Sequence, residues 1–97
     1  MEQVKSLKSK IRDLKPVLTE RFGVSEIGIF GSFLRGAEKP DSDLDILVDF
    51  GKPIGLFHFI RLENFLSNEL GVKVDLVMKD SLKPRIRAPI LETAEFV

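Results

Sequence analysis

Four aspartates, Asp41, Asp43, Asp45 and Asp49, fall within nine residues of "DSDLDILVDF", a stretch whose other members read like a buried strand. In an extended chain alternate residues point the same way, so Asp43, Asp45, Leu47 and Asp49 share one face while Leu44, Ile46, Val48 and Phe50 share the other. The second set is a core face. Asp43 and Asp45 then stand about 6.5 to 7 Å apart at the backbone, and like charges so close repel unless something positive lies between them. Carboxylates at this spacing suit Mg2+, which keeps several waters and takes one or two carboxylates together with substrate phosphates. Two such ions about 3.5 to 4 Å apart can grip the attacking and leaving oxygens of a phosphoryl displacement.

The plain alternative is the wet face of an amphipathic strand, which describes most Asp-x-Asp pairs in soluble proteins. Three features weigh against it. Aspartate is disfavoured in strands. A later strand, "VKVDLVM", carries Asp75 on the face opposite to Val74 and Leu76, with Lys73 and Val77. The pair also follows closely on a Gly-Ser turn that comes directly after a strand.

Two competing motifs fail. Asp41, Asp43 and Asp45 imitate the start of an EF-hand calcium loop, but Ile46 replaces its required glycine and Lys52 its bidentate glutamate. Gly31 and Gly36 have P-loop spacing, but Ala37 and Glu38 stand where its Lys and Ser/Thr belong. What remains is a strand ending in Gly31-Ser32, where a residue without Cβ lets backbone N–H groups approach an anion and a hydroxyl adds a donor. A bare Gly-Ser would be an ordinary turn; the acids downstream suggest a phosphate cradle.

The surrounding elements must position these groups. Val4, Leu7, Ile11, Leu14, Leu18 and Phe22 step by three or four residues, which predicts an amphipathic helix that Pro16 kinks or splits and Gly23 ends. Residues 24–30 and 43–50 read as strands joined by a loop or short helical turn. Residues 56–70 carry Phe59, Leu62, Leu66 and Leu70 at helical offsets, with Gly71 as a stop. Residues 72–78 form a third strand, and the tail predicts a short, proline-interrupted helix before an extended end. Because the third strand follows a full helix, the expected fold is an α/β (α+β) one, a small mixed sheet with helices mainly on one side.

With 97 residues and no repeat or linker, the chain reads as one domain over 1–97. Fifteen basic and fifteen acidic residues cancel, so the broad positive field behind non-specific nucleic-acid binding is not expected. There is no cysteine, which excludes disulfide and thiolate-metal chemistry. With no secretory signal, lipidation motif or apolar run near 18 residues, the expectation is a cytoplasmic protein without a membrane partner.

Gly31-Ser32, then Arg35-Gly36, then Asp43-Leu44-Asp45 opening a hydrophobic strand, with Asp75 in a later one, resembles the DNA polymerase β-like nucleotidyltransferase superfamily. From about residue 15 to the C-terminus, including "GVKVDLV" and "LKPRIRAPILETAEFV", the chain is similar to a minimal nucleotidyltransferase (MNT) domain of the antitoxin type. The resemblance implies transfer of AMP from ATP onto an acceptor hydroxyl, with release of pyrophosphate. It implies that Asp43 and Asp45 ligate two Mg2+ ions and that Asp75 completes the shell of the catalytic one and helps to activate the acceptor. Gly31 and Ser32 would hold the β- and γ-phosphates. Arg35 would contact phosphate or brace the loop, a surface salt bridge being its alternative.

His58, alone in an apolar helix, reads as packing or surface. Asp41 and Asp49 read as strand-capping or solvent-facing, with Asp41 open to tuning the metal site. Lys73, Lys79, Lys83, Arg85 and Arg87 read as a solvated face, with a nucleotide or an acidic partner as the alternative. So small a chain leaves no domain to grip the acceptor, and the resemblance implies a HEPN-type toxin as partner, with its tyrosine as acceptor. The chain itself has no tyrosine. Two other readings stay open: an idle module that neutralises its partner by contact, and a transferase acting on a small molecule or an RNA end.

Overall fold

The computed structural model describes residues 2–36 and 42–97, so Asp41 lies outside the described residues. Helix α1 spans Glu2–Phe22. Val4, Leu7, Ile11, Leu18 and Phe22 are buried along it, and that apolar stripe, more than local propensity, makes it a helix. The split expected at Pro16 does not occur: the proline is exposed within one continuous helix. Its cost of about 3 kcal/mol is outweighed by the fully buried Ile11 and Leu18 on either side, each contributing about 1.5 to 3 kcal/mol.

Strand β1 is Val24–Phe30, followed by the one-turn helix α2, Ser32–Arg35, and by β2, Leu44–Phe50. Helix α3 covers Leu56–Leu70, β3 Val74–Met78, a 3-10 turn Lys79–Ser81, α4 Pro84–Thr93 and β4 Glu95–Phe96. The sheet order is β3-β2-β1-β4, with β1 antiparallel to both β2 and β4 and β2 parallel to β3. A parallel pair needs a long crossover, and α3 provides it. The second and third strands start one and two residues later than their sequence patterns suggest, so Asp43 precedes β2. Pairing still reaches that point, since the Leu44 N–H donates to the Lys73 carbonyl at 2.8 Å.

Isoleucines 27, 29 and 46 join Leu44, Val48, Val74 and Leu76 on one sheet face, where α1 and the α3 residues Leu62, Leu66 and Leu70 complete the core. The opposite face is less uniform than the alternation implies. Leu47 is fully buried there, outside the main core, in register with Gly28 and Val77. An apolar step thus separates Asp45 from Asp49.

The tail forms α4 through Pro89 and then, instead of merely extending, adds β4 against Gly28 and Ile29. Gly28 permits this approach, because a Cβ there would lie 2.9 Å from the Glu95 carbonyl oxygen and 3.0 Å from the Phe96 ring. Lys8 pairs with Glu95 at 2.7 Å and the Lys15 ammonium donates to the Val97 carbonyl at 2.8 Å, tying this edge to α1.

Candidate active site

Because β1 runs against β2 while β3 runs with it, the end of β1 and the beginnings of β2 and β3 meet at one edge of the sheet. Gly31, Ser32, Asp43, Asp45 and Asp75 all belong to that edge. Asp45 is in register with Phe30 on one side and with Asp75 on the other. Register partners share a face and neighbouring strands lie about 4.8 Å apart, so two carboxylates face each other across β2 and β3. Such a like-charge pair costs a few tenths to about 1 kcal/mol. Asp43 and Asp45 are half-buried and Asp75 is exposed.

Gly31 is fixed by two independent constraints. Its φ of 83° and ψ of −150° lie in a region that residues with a Cβ rarely adopt. A Cβ there would also overlap Oδ2 of Asp45 and stand 3.0 Å from its Cγ. The turn therefore brings bare backbone directly against the carboxylate. Behind it, Phe33 anchors α2 in the core and the Leu34 N–H donates to the Gly31 carbonyl at 3.1 Å. Ser32 opens α2; Arg35 closes it, and its side chain lies outside what is described.

Three carboxylates without nitrogen or sulfur form a donor set that fits a hard, oxygen-seeking cation. Among the described residues, no three His, Asp or Glu side chains are already gathered to hold a metal.

Asp49 and Lys79 have structural partners. Asp49 lies four residues, about 13 Å, beyond Asp45, in register with Glu26, and its Oδ1 accepts the Phe50 N–H at 3.1 Å. Lys79 donates to Glu26 at 2.8 Å, and this hydrogen bond, aided by the charges of Glu26 and Asp49, raises the lysine above its ordinary value. Among the late basic residues, Arg87 donates to the Lys79 carbonyl at 3.3 Å, and Lys73, Lys83 and Arg85 are exposed. The Nε2 of His58 lies 2.7 Å from the Phe22 carbonyl, which can only accept, so that nitrogen carries the proton. Phe22 and Phe50 pack around the ring, which makes it a packing residue.

Sequence reasoning overlooked Glu63 and Ser67. Both lie between the buried leucines of α3 and reach the outer edge of β3, where Glu63 Oε2 accepts the Leu76 N–H at 2.9 Å and Ser67 Oγ the Val74 N–H at 3.0 Å. The only available signal was that β3, following a crossover, would sit at a sheet edge needing acceptors.

Residues 11–97 match the nucleotidyltransferase domain family, and the chain belongs to it. Within that class it is 48% identical over 97 residues, covering all of this chain and 98% of the relative, to the protein adenylyltransferase MntA of Thermococcus cleftensis. A solved structure described as a candidate minimal nucleotidyltransferase superposes with a TM-score of 0.78 at 37% identity, over 95% of this chain and 93% of that one. The complex of a tri-AMPylated Shewanella oneidensis HEPN toxin with an MNT antitoxin shares the fold, with a TM-score of 0.60 at 20% identity over 97% of this chain and 67% of that one. The mixed sheet expected from the order of elements and the nucleotidyltransferase class implied by the resemblance are both met.

Proposed function

We propose that this chain transfers AMP from ATP to a hydroxyl, with a tyrosine of a HEPN-type partner as acceptor, and that it thereby serves as the antitoxin of a toxin-antitoxin pair in the cytoplasm. The observation that carries this reading is the register pairing of Asp45 with Asp75 beside the bare backbone of Gly31. The named activity of the Thermococcus cleftensis relative supports adenylyl transfer to protein. The HEPN toxin of the Shewanella complex suggests the kind of partner.

Asp43, Asp45 and Asp75 are the residues that would hold Mg2+. When bound, Mg2+ supplies positive charge that offsets the phosphates and the developing charge of an in-line displacement. Gly31, lacking a Cβ, leaves room for the Asp45 carboxylate against the turn, and in this reading the backbone N–H groups of the turn and the Ser32 hydroxyl offer donors to the β- and γ-phosphates. Asp75 is the exposed member of the acid set, and in this reading its carboxylate orients the acceptor hydroxyl. Since the chain has no tyrosine, a tyrosine acceptor must come from another molecule. Catalysis then consists of positioning and charge compensation.

The test is mass spectrometry of the HEPN-type partner after incubation with this protein, ATP and Mg2+. An AMP adduct on a partner tyrosine is expected, and none with Asp43→Asn/Asp45→Asn. A partner neutralised by the wild type without any adduct would instead establish an idle binding module.

A further inference from the structure

The proposed site needs Asp75 opposite Asp45, yet β3 is an edge strand held by the sheet on one side only. Edge strands carry backbone groups that lack sheet partners, and here the two N–H groups flanking Asp75 are taken up by α3. Val74 donates to Ser67 and Leu76 to Glu63, at 3.0 and 2.9 Å. The two acceptors are four residues apart on a helix, a rise of about 6 Å. The two donors are two residues apart on a strand, a rise of about 6.6 Å. The repeats match, so one helical turn clamps the strand at both sides of Asp75. Leu62, Leu66 and Leu70, buried in the core, fix α3 itself.

We propose that Glu63 and Ser67 are positioning residues for Asp75, setting the height and twist of β3 that let its carboxylate meet that of Asp45. The proposal rests on the reading of Asp75 as a catalytic acid. A purely protective role at the strand edge would affect stability alone, whereas positioning also affects cation affinity and turnover.

The experiment measures Mn2+ affinity by the free-ion electron paramagnetic resonance signal, kcat and KM for AMP transfer to the partner, and thermal midpoint. It compares the wild type with Ser67→Ala, Glu63→Ala, Ser67→Thr and Glu63→Gln. In the alanine variants the half-saturating Mn2+ concentration is expected to rise, and kcat to fall, by about tenfold, with KM for the partner unchanged. Thr and Gln, which keep an acceptor oxygen, restore most of both. Should Glu63→Ala fail to fold, Glu63→Asp, one methylene too short, is expected to show the same loss. Folded alanine or Asp variants that bind Mn2+ and turn over like the wild type overturn the positioning role. A wild type that neither binds Mn2+ nor transfers AMP overturns the reading of the acids, and this proposal with it.

Discussion

Asp75→Asn keeps the shape of the side chain while removing its charge, and it separates the two consequences of placing Asp75 beside Asp45. Without a divalent cation the variant should be more stable than the wild type, by up to about 1 kcal/mol, because a like-charge cross-strand pair is relieved; thermal melting in a chelator reads this. AMP transfer should fall about 100-fold or more. A residue that lowers stability and yet is needed for turnover belongs to a site, and a variant unchanged in both respects would return Asp75 to the solvent. Gly31→Ala carries the opposite sign. It places a Cβ on Asp45 and strains the backbone, so about 1 to 3 kcal/mol of stability and nearly all transfer should be lost together. Lys79 makes a quieter prediction. Its raised folded-state value means that its contribution is complete below its ordinary value of 10.5 and fades as pH climbs through the raised one. Lys79→Met should flatten the alkaline fall in melting temperature, by a small amount because the pair is exposed.

At the scale of elements, α1 tests how a core overrides local propensity. Pro16→Ala restores a backbone donor at an exposed position, so it should stabilise the fold by about 1 to 3 kcal/mol in chemical denaturation and leave transfer unchanged. The same helix shows what was legible in the sequence. Its buried stripe could be counted from Val4 to Phe22, and α3 and β1 could be bounded to the residue, because period and punctuation are local properties. The continuity at Pro16 could not, since it depends on what Ile11 and Leu18 pack against. The burial of Leu47 and the pairing of β4 escaped for the same reason: both depend on partners distant in sequence. Asp43, Asp45 and Asp75 could be nominated from alternation, but their meeting at one edge required the strand order. The clamp by Glu63 and Ser67 required it too.

At the scale of the whole molecule, the described residues form a hydrophobic core with an acidic edge, in a chain of balanced charge. None of the described helices is long and apolar enough to cross a membrane. In the proposed reaction the HEPN-type partner brings the acceptor to the side of Asp75. The Asp45 and Asp75 edge, in that proposed reaction, moves the α-phosphoryl group with its nucleoside. Parallel reactions with α-labelled and γ-labelled ATP, the partner and Mg2+ test it most directly. The expected result is α-label on the partner, γ-label released in pyrophosphate, and neither event with Asp45→Asn. Label reaching the partner from the γ-position, or α-transfer undiminished in Asp45→Asn, would contradict it.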